Sequence, residues 1–68
     1  MKSVWIVEEG ENHEGGHIIS IHSSKESARR AALATFEEWS WDDKHEVDSS
    51  FWQGGCDWLT ITEHEVQD

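Results

Sequence analysis

Five histidines, one cysteine and fifteen carboxylates are the side chains of this 68-residue chain best equipped for chemistry. His13, His17, His22, His45 and His64 raise the question of a metal. Zinc asks for three or four ligands in a defined geometry, usually announced by paired Cys or by two His one turn apart on a helix. Neither pattern occurs, because His13 and His17 are four residues apart but lie in the Gly-rich stretch EGENHEGGH. The spacing predicts solvated histidines, with no metal or other cofactor. Cys56 is single, so no intramolecular disulfide can form, and it stands in GGCDW beside Asp57, a neighbour of the wrong charge for a nucleophilic thiolate. The phosphate-cradling GxxxxGK is absent. Paired carboxylates of the glycosidase kind need a cleft that so short a chain has little material to wall. No catalytic residues are expected.

The carboxylates then matter as a surface. Fifteen Asp and Glu against five Lys and Arg give a net charge of −10. One group, Glu37, Glu38, Asp42, Asp43, Glu46 and Asp48, is opposed within its own stretch by Lys44, and a second, Glu9, Glu11 and Glu14, sits in a Gly-rich loop. A field of this sign repels phosphate backbones and anionic lipid and attracts basic protein surfaces. Carboxylates held in a row imitate the phosphates of a nucleic-acid strand and can fill a Lys- and Arg-lined channel. Those two groups are the candidate partner-binding residues. The bland alternative is an acidic surface that only keeps a small protein soluble.

Certain elements must position these groups. Ser3 to Glu8, SVWIVE, reads as a strand, residues 9 to 16 as a loop, and His17 to His22, HIISIH, as a second strand antiparallel to the first. Ser23 to Trp41 carries helical periodicity, with Ala28, Ala31, Ala32, Thr35 and Trp39 on one stripe. Ser23 and Glu26 have the spacing of a capping box. The helix polarity is unusual. Lys25, Arg29 and Arg30 occupy the first half and Glu37 and Glu38 the end, whereas the macrodipole favours the reverse by about 0.3 to 1 kcal/mol per exposed charge. That order hints that something other than helix stability placed the acids. Asp42 to Ser50 reads as a charged connection, residues 49 to 53 as a short strand, and Cys56 to Val66 as a long last strand after a Gly54-Gly55 hairpin turn.

The expectation is one α+β domain over residues 1 to 68: a three- to four-stranded antiparallel sheet, ββαβ or ββαββ, with a single helix packed on one face and the last strand beside the first. Val4, Ile6, Ile19, Ile21, Leu59 and Ile61 are expected to meet the Ala stripe. Trp5, Val7, Ile18 and Trp58 then fall on the far face, either covered by residues 42 to 53 with Phe51 and Trp52 or left as an exposed aromatic patch. The five Trp favour core packing over base stacking, since no basic groove accompanies them. The four apolar residues of MKSVWIVEEG are too few for a signal peptide, and no run approaches the roughly 20 residues of a membrane span, which predicts a cytoplasmic location.

The segments VWIVEEG, GGHIISIHSSKESARRA and DWLTITEHEV resemble small phage and prophage domains built as strand, Gly or acid loop, strand ending in Ser-Ser, helix and amphipathic last strand. In size and acidity the chain is also similar to phage-encoded inhibitors of host defence, anti-CRISPR proteins especially, several of which act as DNA mimics. The resemblance implies a monomeric, non-enzymatic inhibitor of a basic nucleic-acid-binding host protein, CRISPR-Cas effector subunits included. It brings no catalytic residues. The rival expectation is an interaction module that binds through an exposed aromatic sheet face.

Overall fold

The structure, a computed structural model, describes residues 2–67. Its elements are β1 (Lys2–Glu11), β2 (Gly15–His22), α1 (Lys25–Glu38), β3 (His45–Asp48), β4 (Phe51–Gly54) and β5 (Asp57–Val66). The strands form one sheet in the order β2-β1-β5-β4-β3, with every neighbouring pair antiparallel. α1 crosses one face of it against β1, β2 and β5. This is the expected α+β class with β5 beside β1, but with five strands instead of three or four. The added strand is β3, drawn from the stretch expected to be a charged connection. Its order has a tertiary cause: from α1, Arg29 pairs with Glu46 at 3.3 Å and bonds the Ser49 carbonyl, while Lys25 donates to Ser49 Oγ at 3.2 Å.

Which face each strand turns to α1 follows from register. Val7 pairs with Ile61 and Glu9 with Leu59, and directly opposed residues share a face. Val7, Ala28, Ala32, Trp52 and Leu59 are wholly inaccessible and Ile61 is nearly so. Trp5, Ile19, Leu33, Phe36 and Trp39 pack around them. The assignment expected for β1 is therefore reversed: Trp5 and Val7 face the helix, and Val4 and Ile6 face away. Both alternating sets of that strand are apolar, so its own periodicity cannot choose between them. Leu59, Ile61 and Ile19 lie where expected, as do Ile18 and Trp58 on the far face. Ile21 does not. A bulge lets Val7 pair with Ser20 and Glu8 with Ile18, leaving Ile19 as the extra residue. Ile19 then stays against the core while Ile21, two positions on, is 59% exposed on the other side.

Residues 42 to 53 do not fold over the far face. The β3–β4 hairpin extends the sheet, and Trp52 enters the helix-side core, where the Arg29 guanidinium lies 5.5 Å from its ring. Its indole N–H finds no acceptor among the described residues, a cost of about 1 to 3 kcal/mol borne by the largest buried side chain. On the far face Trp58 lies over Gly10 and Gly16, where a Cβ on either glycine would run into its ring.

The last hairpin turns at Gly55-Cys56, since Gly54 still pairs with Asp57. Gly55 has φ +57° and Cys56 is not in the left-handed region, so this is not the type I′ Gly54-Gly55 turn expected. At the helix start, Ser24 is the N-cap: its side chain accepts from the Ser27 N–H at 3.2 Å, and the Ser23–Glu26 capping box is not formed. α1 ends at Glu38, three residues before Trp41. Ser24→Ala should lower the unfolding free energy by about 1 kcal/mol, against a change within about 0.5 kcal/mol for Ser23→Ala. Urea denaturation followed by Trp fluorescence measures both.

Candidate functional site

Three connections meet at one end of the sheet: the β1–β2 turn, the segment from Trp39 to Lys44 that leaves α1, and the β4–β5 turn. They are bonded to one another. Asn12 N–H donates to the Cys56 carbonyl at 2.8 Å, and Gly55 N–H donates to Asp43 Oδ1 at 2.8 Å. Trp41 Nε1 donates to Asp57 Oδ2 at 2.8 Å, with its ring close over Gly55. Trp39 Nε1 donates to Glu9 Oε2 at 3.1 Å, tying the end of the helix to the sheet.

Between these connections lies an open cleft of about 500 Å³ lined by Glu9, Gly10, Glu11, Glu14, Gly15, Gly16, His17, Trp39 and Asp57. The β1–β5 register sets Glu11 directly opposite Asp57, so two carboxylates sit side by side on adjacent strands. Like charges so placed oppose strand pairing. The cleft is lined by the carboxylates of Glu9, Glu11, Glu14 and Asp57 and by the Trp39 indole, a composition suited to a cationic amine or guanidinium group. Glu37, Glu38 and Asp42 are exposed on the adjoining helix end and loop.

Two acidic groups that are separate in sequence thus become one surface. Glu9, Glu11, Glu14, Glu37, Glu38, Asp42 and Asp43 all lie at this end, and Asp57, absent from the sequence-based set, joins them. The signal for Asp57 was the antiparallel placement of the last strand beside the first, which brings the start of one to the end of the other. Glu46 and Asp48 do not belong to the site. Glu46 pairs with Arg29, the only salt bridge among the described residues, and Asp48 Oδ1 accepts from the Ser50 N–H at 2.7 Å inside the β3–β4 turn. Glu9 and Asp43 are at the site but also hold structure, through Trp39 and Gly55.

The unusual helix polarity has a local answer. Lys44 folds back so that its Nζ donates to the Phe36, Glu37 and Trp39 carbonyls at 3.2, 3.4 and 3.0 Å, and lies 5.2 Å from the Phe36 ring. The cation that the C-terminus requires comes from beyond the helix. Lys25 and Arg29 in the first half serve the hairpin contacts described above. The placement of the bases along α1 therefore reflects tertiary partners, while Glu37 and Glu38 still oppose the macrodipole at its end.

Of the histidines, His22 has Ser27 Oγ at 2.8 Å from Nδ1 and Ser20 Oγ at 2.7 Å from Nε2, while His45 Nδ1 donates to the Asp43 carbonyl at 2.9 Å. Among the described residues, no three His, Cys, Asp or Glu side chains converge as a metal would require. No helix among the described residues is long and apolar enough to cross a membrane. Comparison with protein-family models, curated proteins and solved structures finds no match to this chain.

Removing the Lys44 ammonium should expose the helix end. Lys44→Met is expected to cost about 1 to 2 kcal/mol, whereas Glu37→Gln and Glu38→Gln, which relieve unfavourable charge at the same terminus, should be neutral or stabilising by a few tenths. Chemical denaturation at low ionic strength measures the difference, and raised salt should shrink it.

Proposed function

We propose that the protein is a non-enzymatic, acidic binding protein whose carboxylate-rich end occupies a basic, nucleic-acid-binding site on another protein. What supports this reading is the gathering of Glu11, Glu14 and Asp57 in one cleft, with Glu37, Glu38 and Asp42 exposed on the adjoining helix end and loop, in a chain of net charge −10. Carboxylates presented from a turn, a helix end and a strand at fixed separations offer a cation-lined channel what a phosphate backbone offers it: repeated negative charge on a scaffold that need not reorganise. Such complementarity speeds encounter and confers selectivity. The finer reading, carried by the resemblance to phage and prophage domains, is an inhibitor of host defence that blocks a nucleic-acid-binding effector such as a CRISPR-Cas subunit in the host cytoplasm.

The competing use of the uncovered sheet face has less to recommend it as an aromatic platform. Trp5 and Trp52 point into the helix-side core, and Trp58 is occupied in covering Gly10 and Gly16. Besides half-buried Phe51 and Trp58, the exposed residues of that face are a mixture of Ile18, Ile21 and Val66 with Thr62, His64, His45 and Asp48.

The test is capture from a nuclease-treated bacterial lysate on the immobilised chain. Capture of a nucleic-acid-binding protein is expected at low salt, with steep loss as salt rises and displacement by duplex DNA. A Glu11→Lys, Glu37→Lys, Glu38→Lys, Asp42→Lys variant should lose it while keeping the native circular dichroism spectrum. Asp43 is left intact because it holds Gly55. Capture indifferent to salt and to these four reversals would contradict the proposal.

A further inference from the structure

We infer that β2 is a self-recognition edge through which two copies of the chain pair, antiparallel, into one continuous sheet. The sheet has two free edges, and they differ in kind. β3 is four residues long, HEVD, and charged, both features that discourage pairing with another strand. β2 is eight residues, GGHIISIH, with no Asp, Glu, Lys, Arg or Pro, and its Ile18 and Ile21 are 53% and 59% exposed. An uncharged edge of this length is a template for strand addition.

The sequence of that edge selects a second copy as the occupant. His17-Ile18-Ile19-Ser20-Ile21-His22 reads nearly the same in both directions. In a regular strand the symmetry would be useless, because residues three or five positions apart point to opposite faces. The bulge at Ile19 corrects this. Ile18 opposes Glu8 and Ile21 opposes Ile6, placing both isoleucines on the uncovered face. His17 opposes Glu9 and His22 opposes Trp5, placing both histidines on the helix face. The strand is therefore palindromic in faces as well as in letters, which is what a two-fold interface demands: the same patch on both partners, complementary to itself.

In the resulting register Ile18 of one copy faces Ile21 of the other, Ile19 faces Ser20 and His17 faces His22. The isoleucines extend the apolar band of Ile6 and Trp58 across the seam. Charge agrees with this arrangement. Antiparallel pairing sends the two acidic ends in opposite directions along a molecule whose longest extent is 42 Å, so chains of net charge −10 meet through their uncharged strand. A pair so built, in place of the monomer expected from the sequence, presents two acidic ends facing opposite ways.

Sedimentation equilibrium of the full chain over a concentration series tests the pairing. The mass should rise to twice the 7.9 kDa of the chain, and raised salt should favour it by screening like charges, the opposite of its effect on binding to a basic partner. Ile21→Lys should return the single-chain mass with an unchanged far-ultraviolet spectrum, and Val47→Lys on β3 should leave the doubled mass in place. In a Cys56→Ser background, chains carrying Ile18→Cys mixed with chains carrying Ile21→Cys should cross-link on oxidation, and neither should do so alone. A single-chain mass for the unsubstituted protein at every concentration overturns the inference. So does a doubled mass that survives Ile21→Lys or is lost in Val47→Lys, and cross-linking of either cysteine variant with itself overturns the register.

Discussion

The antiparallel pairing of β1 with β5 is the constraint on which the rest of the molecule depends. It runs from Lys2 opposite Val66 to Glu11 opposite Asp57 and joins the start of the described chain to its end. By setting Val7 against Ile61 and Glu9 against Leu59 it decides which side of the sheet receives α1. By continuing to Glu11 and Asp57 it carries carboxylates from distant parts of the sequence to one rim. Core and acidic end are consequences of a single register, and a one-residue slip would move every side chain of the strand to the opposite face.

Around that ladder, a few long cationic side chains fasten the outlying elements. Arg29 and Lys25 reach from the first half of α1 to the β3–β4 hairpin, and Arg29 also covers the ring of Trp52. Lys44 closes the other end of the helix. With only five Lys and Arg in the chain, three of them are committed to holding elements together, and the carboxylates at the sheet rim are left with little cationic opposition. The negative surface follows as much from where the bases are used as from how many acids there are.

Much of the architecture is legible in the sequence, and the remainder fails for identifiable reasons. The first hairpin, the single helix and the long final strand are marked by β-branched runs, Gly-rich turns and a 3.6-residue period. The face of β1 is not, because Val4 and Ile6 compete with Trp5 and Val7 on equal terms. Ile21 misleads because a bulge, which leaves no mark in alternation, shifts it relative to Ile19. β3 is hidden because HEVD has little strand character of its own and is ordered by pairing with β4, with Arg29 of α1 reaching Glu46. As for the site, the acids of the stretch expected to be a loop, of which Glu9 and Glu11 instead end β1, and those of the helix end are evident from composition, but their union with Asp57, and the separation of Glu46 and Asp48 from them, depend on tertiary register.

Folding concentrates negative charge at one end of the sheet, and we propose that a cationic partner binds there. Titrating a 15N-labelled sample of the chain with a short Lys- and Arg-rich peptide, and following backbone amide shifts, tests it most directly. Salt-sensitive shifts confined to the β1–β2 turn, the segment from Glu37 to Asp43 and the β4–β5 turn are expected. Shifts spread evenly over the molecule, or centred on the uncovered sheet face, would contradict it.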